Sequence, residues 1–279
     1  MSIPISVADT IHRLEAWASP TWQESWDNCG WQVEPGILDQ PARVLVCLTP
    51  TWAVLEEALE LRGQGQAVNL ILAHHPLIFS PLKAITQDNP VGRMVYQAIT
   101  HGIGIYSAHT NFDQVAGGTA DTLAQILGLQ DAEPVVTTQP PVGYGRVGNL
   151  VPALSLDKLL RQIQATLKPP RLIYSPAADL HQSIQRLAVL GGSGASFLGA
   201  VAKTGAQAYL TADVKFHQFQ EARDRGVVLI DAGHYATERP ACEALVNWVR
   251  DQGVAWASLS QRDEDFRQFF GENPGGVSA

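Results

Sequence analysis

Apolar and polar positions along the chain follow two periods. "SVADTIHRLEAWASP" sets Ile11, Leu14 and Ala18 on one helical face. It opens with Ser6 three residues before Asp9, as in a capping box, and stops at Pro20, so it predicts an amphipathic first helix with His12 on the solvent side. "TWQESWDNCGWQVEPG" is rich in Trp and turn residues, has no period, and predicts an irregular loop. From Arg43 the pattern tightens. "RVLVCLT" predicts a buried strand, "PTWAVLEEALELRG" a helix begun at Pro50 and closed by Gly63, and "AVNLILAHH" a second buried strand, together a βαβ unit.

The same grammar returns after Arg186. "RLAVLGG" predicts a strand, "SGASFLGAVAKTG" a helix entered through a glycine-rich turn, and "AQAYLTAD" another strand, so the halves look like weak copies of one another. Units of this kind also resemble one another through binary patterning alone. Elsewhere "RMVYQAITHG", "GGTADTLAQILGL", "LDKLLRQIQATL" and "RPACEALVNWVRDQG" predict helices, and "IGIYSAH" and "VVLIDAGH" predict strands. Nearly all-apolar strands separated by helices predict an α/β fold of two similar lobes, each a mostly parallel sheet covered by helices. Proline-rich stretches at "TTQPPVGYG" and "LKPPRLIYSP" suggest a lobe over residues 1–135, a second over 136–265, and a disordered tail over 266–279.

Composition narrows the partners. A chain of 279 residues that is 46 % hydrophobic can bury a substantial core. Its net charge of -8 argues against a surface for nucleic acid, although a bound cation could still attract a phosphorylated small molecule. The opening "MSIPISVADT" has no secretory pattern and no run is long enough to span a bilayer, so the expectation is a cytoplasmic protein with no membrane partner. Cys29, Cys47 and Cys242 lack the spacing of a disulfide framework or thiolate metal site, and Cys47 reads as core.

In parallel α/β sheets, ligands gather at strand carboxyl ends. "LILAHHP" delivers His74 and His75 there, "IGIYSAHTNFD" delivers His109 with Asp113 four residues on, and "VVLIDAGHYATE" delivers His234 with Glu238 four residues on. Taken singly, each has a plain structural role: a hydrogen-bonded histidine, a turn aspartate, a first-turn glutamate favoured by the helix dipole. Together they would need separate structural reasons at three strand ends that the fold brings to one edge. Nitrogen and oxygen donors without thiolates suit Zn, Fe, Mn or similar divalent ions. Adjacent side chains on a strand diverge, so His74 and His75 can both ligate if they serve two ions about 3.5 to 4 Å apart.

The strings "WDNCGWQV", "AHHPLIF", "SAHTNFD", "GYGRVGNL", "YLTADVKFHQ" and "DAGHYATE", in this order, resemble the GTP cyclohydrolase 1 type 2 homologues, also called NGG-one interacting factor three-like, dinuclear metal centre hexameric proteins. The resemblance implies that His74, His75, Asp113, His234 and Glu238 bind two divalent metals, with Glu238 the bridge, His75 and Asp113 on one ion, and His74 and His234 on the other. It further implies a toroidal homohexamer and a metal site at strand carboxyl ends between the lobes. The short interval from Asp131 to Arg186 leaves little room for the inserted domain that some members carry.

The expected function is a metal-dependent hydrolase acting on a nucleotide-like or other phosphorylated small molecule, with GTP ring opening as one form of it. A non-catalytic metal-binding assembly or regulatory protein, or a phosphoesterase, are the alternatives. His109 or His217 is the expected proton carrier. Gly191, Gly192, Ser193 and Gly194 in "LGGSGAS" offer a backbone nest for a phosphate, or simply a tight turn, and Lys215, near a strand end in "ADVKFHQFQEA", offers a charge for a phosphate or a structural duty.

Overall fold

The runs Arg43–Cys47 and Leu70–Ala73 are too short for helices and are buried almost throughout, and they lie side by side as parallel strands. The computed structural model describes residues 4–139, 142–176 and 179–270. In chain order, the elements up to residue 118 are helix α1 (Val7–Trp17), strands β1 (Gly30–Val33) and β2 (Arg43–Cys47), helix α2 (Trp52–Leu61), strand β3 (Leu70–Ala73), helix α3 (Pro90–Thr100), strand β4 (Gly104–Ser107) and the short helix α4 (Thr110–Gln114). Helix α5 (Thr119–Ile126), strands β5 (Gln130–Gln139) and β6 (Val142–Ser155), helix α6 (Leu156–Leu167), and strands β7 (Ile173–Tyr174) and β8 (Ser183–Val189) follow. The chain then runs through helix α7 (Leu198–Lys203), strand β9 (Ala208–Thr211), helix α8 (Phe216–Asp224), strand β10 (Val228–Asp231), helix α9 (His234–Asp251) and strand β11 (Trp256–Leu259).

Two compact units result, one from Met1–Gly118 with Ala241–Asp263, the other from Thr119–Pro240 with Glu264–Ala279. These limits differ from the breaks suggested at 135 and 265. Helix α5 buries Leu123 and Ala124 in the same core as Leu187, Leu210 and Ile230, which draws the exchange forward to residue 119. The return at 241 follows from β11, which adds to β2 as a parallel strand and so completes the first sheet with a late segment. Within the span expected to be a tail, Arg267 pairs with Asp265 and Asp213; residues 271–279 lie outside the described residues.

Among the described residues, the first unit carries a five-stranded sheet in the order β1-β4-β3-β2-β11, parallel except for β1. The short β1 lies inside the stretch expected to be loop; its Gln32 is buried and hides the apolar signature. The second unit carries a six-stranded sheet in the order β5-β6-β8-β9-β10-β7. Its inner three, β8-β9-β10, are parallel, as β2, β3 and β4 are in the first, while β5, β6 and β7 pair antiparallel. Strand β5 is mostly exposed, polar and carries Pro134, features of an edge strand that disguise it in the sequence.

Burial on both faces explains the unbroken apolar strands. In the second unit Leu187, Val189, Ala208, Leu210, Val228 and Ile230 belong to one core cluster, and the alternating Ala188, Tyr209 and Leu229 to another. Helix α1 begins as expected, with the Ser6 side chain accepting from Asp9 N and with Ile11 and Leu14 buried. Cys47 is core, and none of the three cysteines, all among the described residues, is in a disulfide. No helix among the described residues is long and apolar enough to cross a membrane.

Candidate metal centre

In the first unit, β3 ends at Ala73, and the backbone amides of His74 and His75 donate to the carbonyls of Cys47 and Leu48 at the neighbouring β2 end. The chain therefore leaves the sheet as an anchored bend, which lets successive side chains avoid strict opposition. One strand over, β4 ends at Ser107 and His109 precedes α4, whose first turn carries Asp113. The three rings lie close together: centroids are 5.3 Å apart for His74 and His75, 5.1 Å for His74 and His109, and 5.5 Å for His75 and His109. Each can bring one nitrogen within 4.8 Å of the other two. Asp113 Oδ1 is 3.5 Å from His74 Nε2.

Which nitrogen each ring offers follows from its partners. His74 Nδ1 is 2.8 Å from the Ala108 carbonyl, which can only accept, so Nδ1 carries the proton and Nε2 keeps the lone pair. His109 Nδ1 donates to Asp27 Oδ1 at 2.8 Å, with the same consequence. His75 Nδ1 is 2.8 Å from the Thr49 hydroxyl, which can play either part. Oxygen partners on the far nitrogen are the usual way a protein orients an imidazole ligand and fixes its tautomer.

Asp27 is the residue the sequence did not single out. Its side chain is shielded from water and collects the His109 ring, the Thr110 amide (3.1 Å) and hydroxyl (2.5 Å), the Asn28 amide (2.8 Å) and the Cys29 thiol (3.1 Å). Burial on its own would raise the carboxyl's pKa, but the hydrogen bonds from His109, Thr110 and Cys29 hold it well below the usual carboxylate range. Burial, together with the Asp27 charge, pushes the Cys29 thiol up to about 12, so it stays protonated and donates. The only local sign of Asp27 was a carboxylate in a Trp-rich loop; its partner lies 82 residues further on.

The second unit builds a matching arrangement at its own strand ends. Strand β10 stops at Asp231, Gly233 turns the chain at φ +84, and His234 opens α9 with Glu238 one turn along. His234 Nε2 lies 2.9 Å from Glu238 Oε2 and Nδ1 lies 2.6 Å from Asp213 Oδ2. Asp213 follows β9 in the left-handed conformation (φ +53), which short polar side chains tolerate, and its other oxygen accepts from Arg267 at 3.1 Å. Burial would depress the His234 imidazolium, but Glu238 and Asp213 on either side outweigh it and push it up to about 10. Glu238 is itself buried. A buried carboxylate facing an imidazole nitrogen whose far side is tied to a second carboxylate suits a divalent cation in place of the shared proton.

The glycine-rich turn has a clear local duty. Gly192 N donates to the Thr237 hydroxyl and Gly194 N to the Thr211 hydroxyl, both buried, so those two amides are engaged within the protein. Gly192 has φ +62, and a Cβ there would overlap Glu238 Oε1 and lie 3.2 Å from His234 Cε1. Its missing side chain is what admits the carboxylate. Ser193, in the same turn, is exposed. Lys215 and His217 are exposed at the start of α8, where the Lys215 amide donates to Gln218 Oε1.

The donors thus form two sets: His74, His75, His109 and Asp113 in the first unit, His234 and Glu238 in the second. Such His and Glu groups can hold a metal ion. Comparison with known proteins gives the family. The chain is 64 % identical over 266 residues to a GTP cyclohydrolase 1 type 2 homolog of Nostoc sp., covering 95 % of this chain and 99 % of that one. It is 34 % identical to a protein of the same description from Clostridium perfringens (88 % and 91 % covered) and 31 % identical to the NIF3 homolog of Schizosaccharomyces pombe (90 % and 94 %). Its fold matches the crystal structure of a Bacillus cereus protein related to NIF3, with a TM-score of 0.86 at 22 % identity over 96 % of this chain and 100 % of that one. Residues 5–262 match the family model described as Duf34/NIF3 (NGG1p interacting factor 3), and the chain belongs to that family.

Proposed function

We propose that the protein is a metal-dependent hydrolase acting on a nucleotide-like small molecule, with two divalent cations held by His74, His75, Asp113, His234 and Glu238 and with Glu238 common to both. The observation that carries this reading is the fixed orientation of His74: the Ala108 carbonyl, which can only accept, holds its Nδ1, so Nε2 is the nitrogen turned toward the neighbouring imidazoles. Bound there, two cations would bring the pKa of water toward neutrality and polarise the bond under attack. A net charge of -8 means no excess of cationic side chains to hold phosphates, which suits a site whose positive charge is supplied by metal.

The chain's own residues supply orientation and proton traffic. His109, tied at Nδ1 by Asp27, is the proton carrier we favour over the exposed His217, because only its orientation is built in. With GTP as substrate, water adds at C8 of the guanine ring, Nε2 of His109 takes a proton from that water, and the bond from C8 to a ring nitrogen breaks as His109 passes the proton to that nitrogen. The same reading takes the assembly to be a toroidal homohexamer, which light scattering would test by mass.

Elemental analysis of protein purified without added metal, followed by assays of GTP and a panel of phosphoesters before and after chelation, tests the proposal. Two equivalents of metal and chelator-sensitive GTP turnover are expected, with both lost in Glu238→Ala. GTP turnover that survives complete metal removal would overturn it. Turnover confined to phosphoesters would replace ring opening with phosphoesterase chemistry, and retained metal with no turnover would favour a regulatory protein.

A further inference from the structure

The geometry points to Trp26 and Phe79 as a stacking platform that receives a planar nitrogen heterocycle beside His109, so that the ring of the substrate, not its phosphate, meets the proton carrier. This rests on the hydrolase reading and names the substrate class within it. Both aromatic side chains are 58 % exposed, with centroids 6.1 Å apart and planes 52° apart, and the Trp26 ring stands 6.2 Å from the His109 ring. Large aromatic rings left in water side by side, next to a cluster of imidazoles, are a feature that folding alone does not reward.

The backbone on which these rings stand is clamped. Asn28 Nδ2 donates to the Ile78 carbonyl at 2.7 Å, and the Ile78 amide donates to Gln32 Oε1 at 3.0 Å. Gln32, nearly buried, returns Nε2 to the Asn28 carbonyl at 2.7 Å. The backbone just after Trp26 is thereby clamped to the backbone just before Phe79. Between Trp26 and Asn28, Asp27 locks the same loop to His109 and Thr110. The backbone segments that carry the two rings and the proton carrier are consequently fixed relative to one another before any ligand arrives, which lowers the ordering cost of binding.

The chemistry recognised there follows from the surface. Indole and phenyl faces favour a flat π-system and are indifferent to its hydrogen-bonding pattern, as in single-strand nucleic-acid readers. A sugar phosphate without a base gains nothing from them. Guanosine and ribose 5-phosphate are therefore the discriminating probes, titrated calorimetrically into the full-length protein with and without zinc. Guanosine affinity should fall about tenfold or more in Trp26→Ala and Phe79→Ala and recover in part in Trp26→Phe, since base-on-aromatic stacking is of that size. Ribose 5-phosphate binding, metal content and mass by light scattering should stay at the wild-type level.

Equal guanosine affinity in wild type and Trp26→Ala, or no guanosine binding by either, overturns the platform. A change of mass in Trp26→Ala also overturns it, because the rings would then be a contact between copies of the chain. Guanosine binding that is lost in Trp26→Ala while the wild type turns over nothing leaves the platform standing and removes the hydrolase reading.

Discussion

Replacing Asp27 by Asn is the sharpest test of how the first unit prepares its imidazoles. The carboxylate accepts from His109 Nδ1 and Asn28 N on one oxygen, and from Thr110 N, the Thr110 hydroxyl and Cys29 on the other. An amide has one acceptor oxygen. If that oxygen faces Thr110, the new NH2 group confronts the Nδ1 proton of His109; if it faces His109, it confronts the Thr110 amide. The first arrangement is relieved when His109 moves its proton to Nε2, which removes the lone pair from the side facing His74 and His75. Hydrogen bonds to a charged group are worth about 1.5–3 kcal/mol, so denaturant unfolding should show a loss of that order. Metal affinity or turnover should fall by about 10- to 100-fold, the usual effect of removing an orienting partner. The decisive readout is nitrogen-15 NMR of the imidazoles, which separates the two tautomers: His109 should shift its proton to Nε2 while His74, held by the Ala108 carbonyl, should not. An unchanged His109 tautomer together with wild-type turnover would refute the reasoning.

In the second unit, Gly192→Ala places a Cβ on Glu238 Oε1 and forces Ala to φ +62, at a backbone cost of about 1–2 kcal/mol; lowered thermal stability and reduced metal content are expected, and wild-type values of both would exclude the tight fit. Asp213→Asn takes the carboxylate from His234 Nδ1 on a partly exposed site, so stability should change by no more than about 1 kcal/mol while metal affinity drops by about 10- to 100-fold; equal affinity by competition with a chromogenic chelator would count against an orienting role. Tyr209→Phe removes the hydroxyl that donates to Gly194 O at 2.7 Å in a fully buried position, and urea unfolding should register about 1–2 kcal/mol; no measurable loss would mean that the turn holds itself.

The parts of the fold that could be read directly are those whose signal is local. The runs at Arg43 and Leu70 announce parallel strands because both faces are buried, so every position is apolar; Ser6 and Asp9 announce a helix start through a bond three residues long. The histidines and carboxylates after β3, β4 and β10 stand out for the same reason, as polar residues closing apolar runs. Strand β5 escaped because it is an exposed edge, and β1 because its Gln32 faces inward.

Sequence by itself thus determined the strand-helix-strand units and the donors at their ends, since those follow from periodicity and chain direction over a few residues. Tertiary structure alone decided that Asp27 reaches His109 across 82 residues, that β11 returns to β2, and that the glycine turn serves to admit Glu238. Each of those is a contact between segments far apart in the chain, and its free energy exists only once packing has brought both partners out of water.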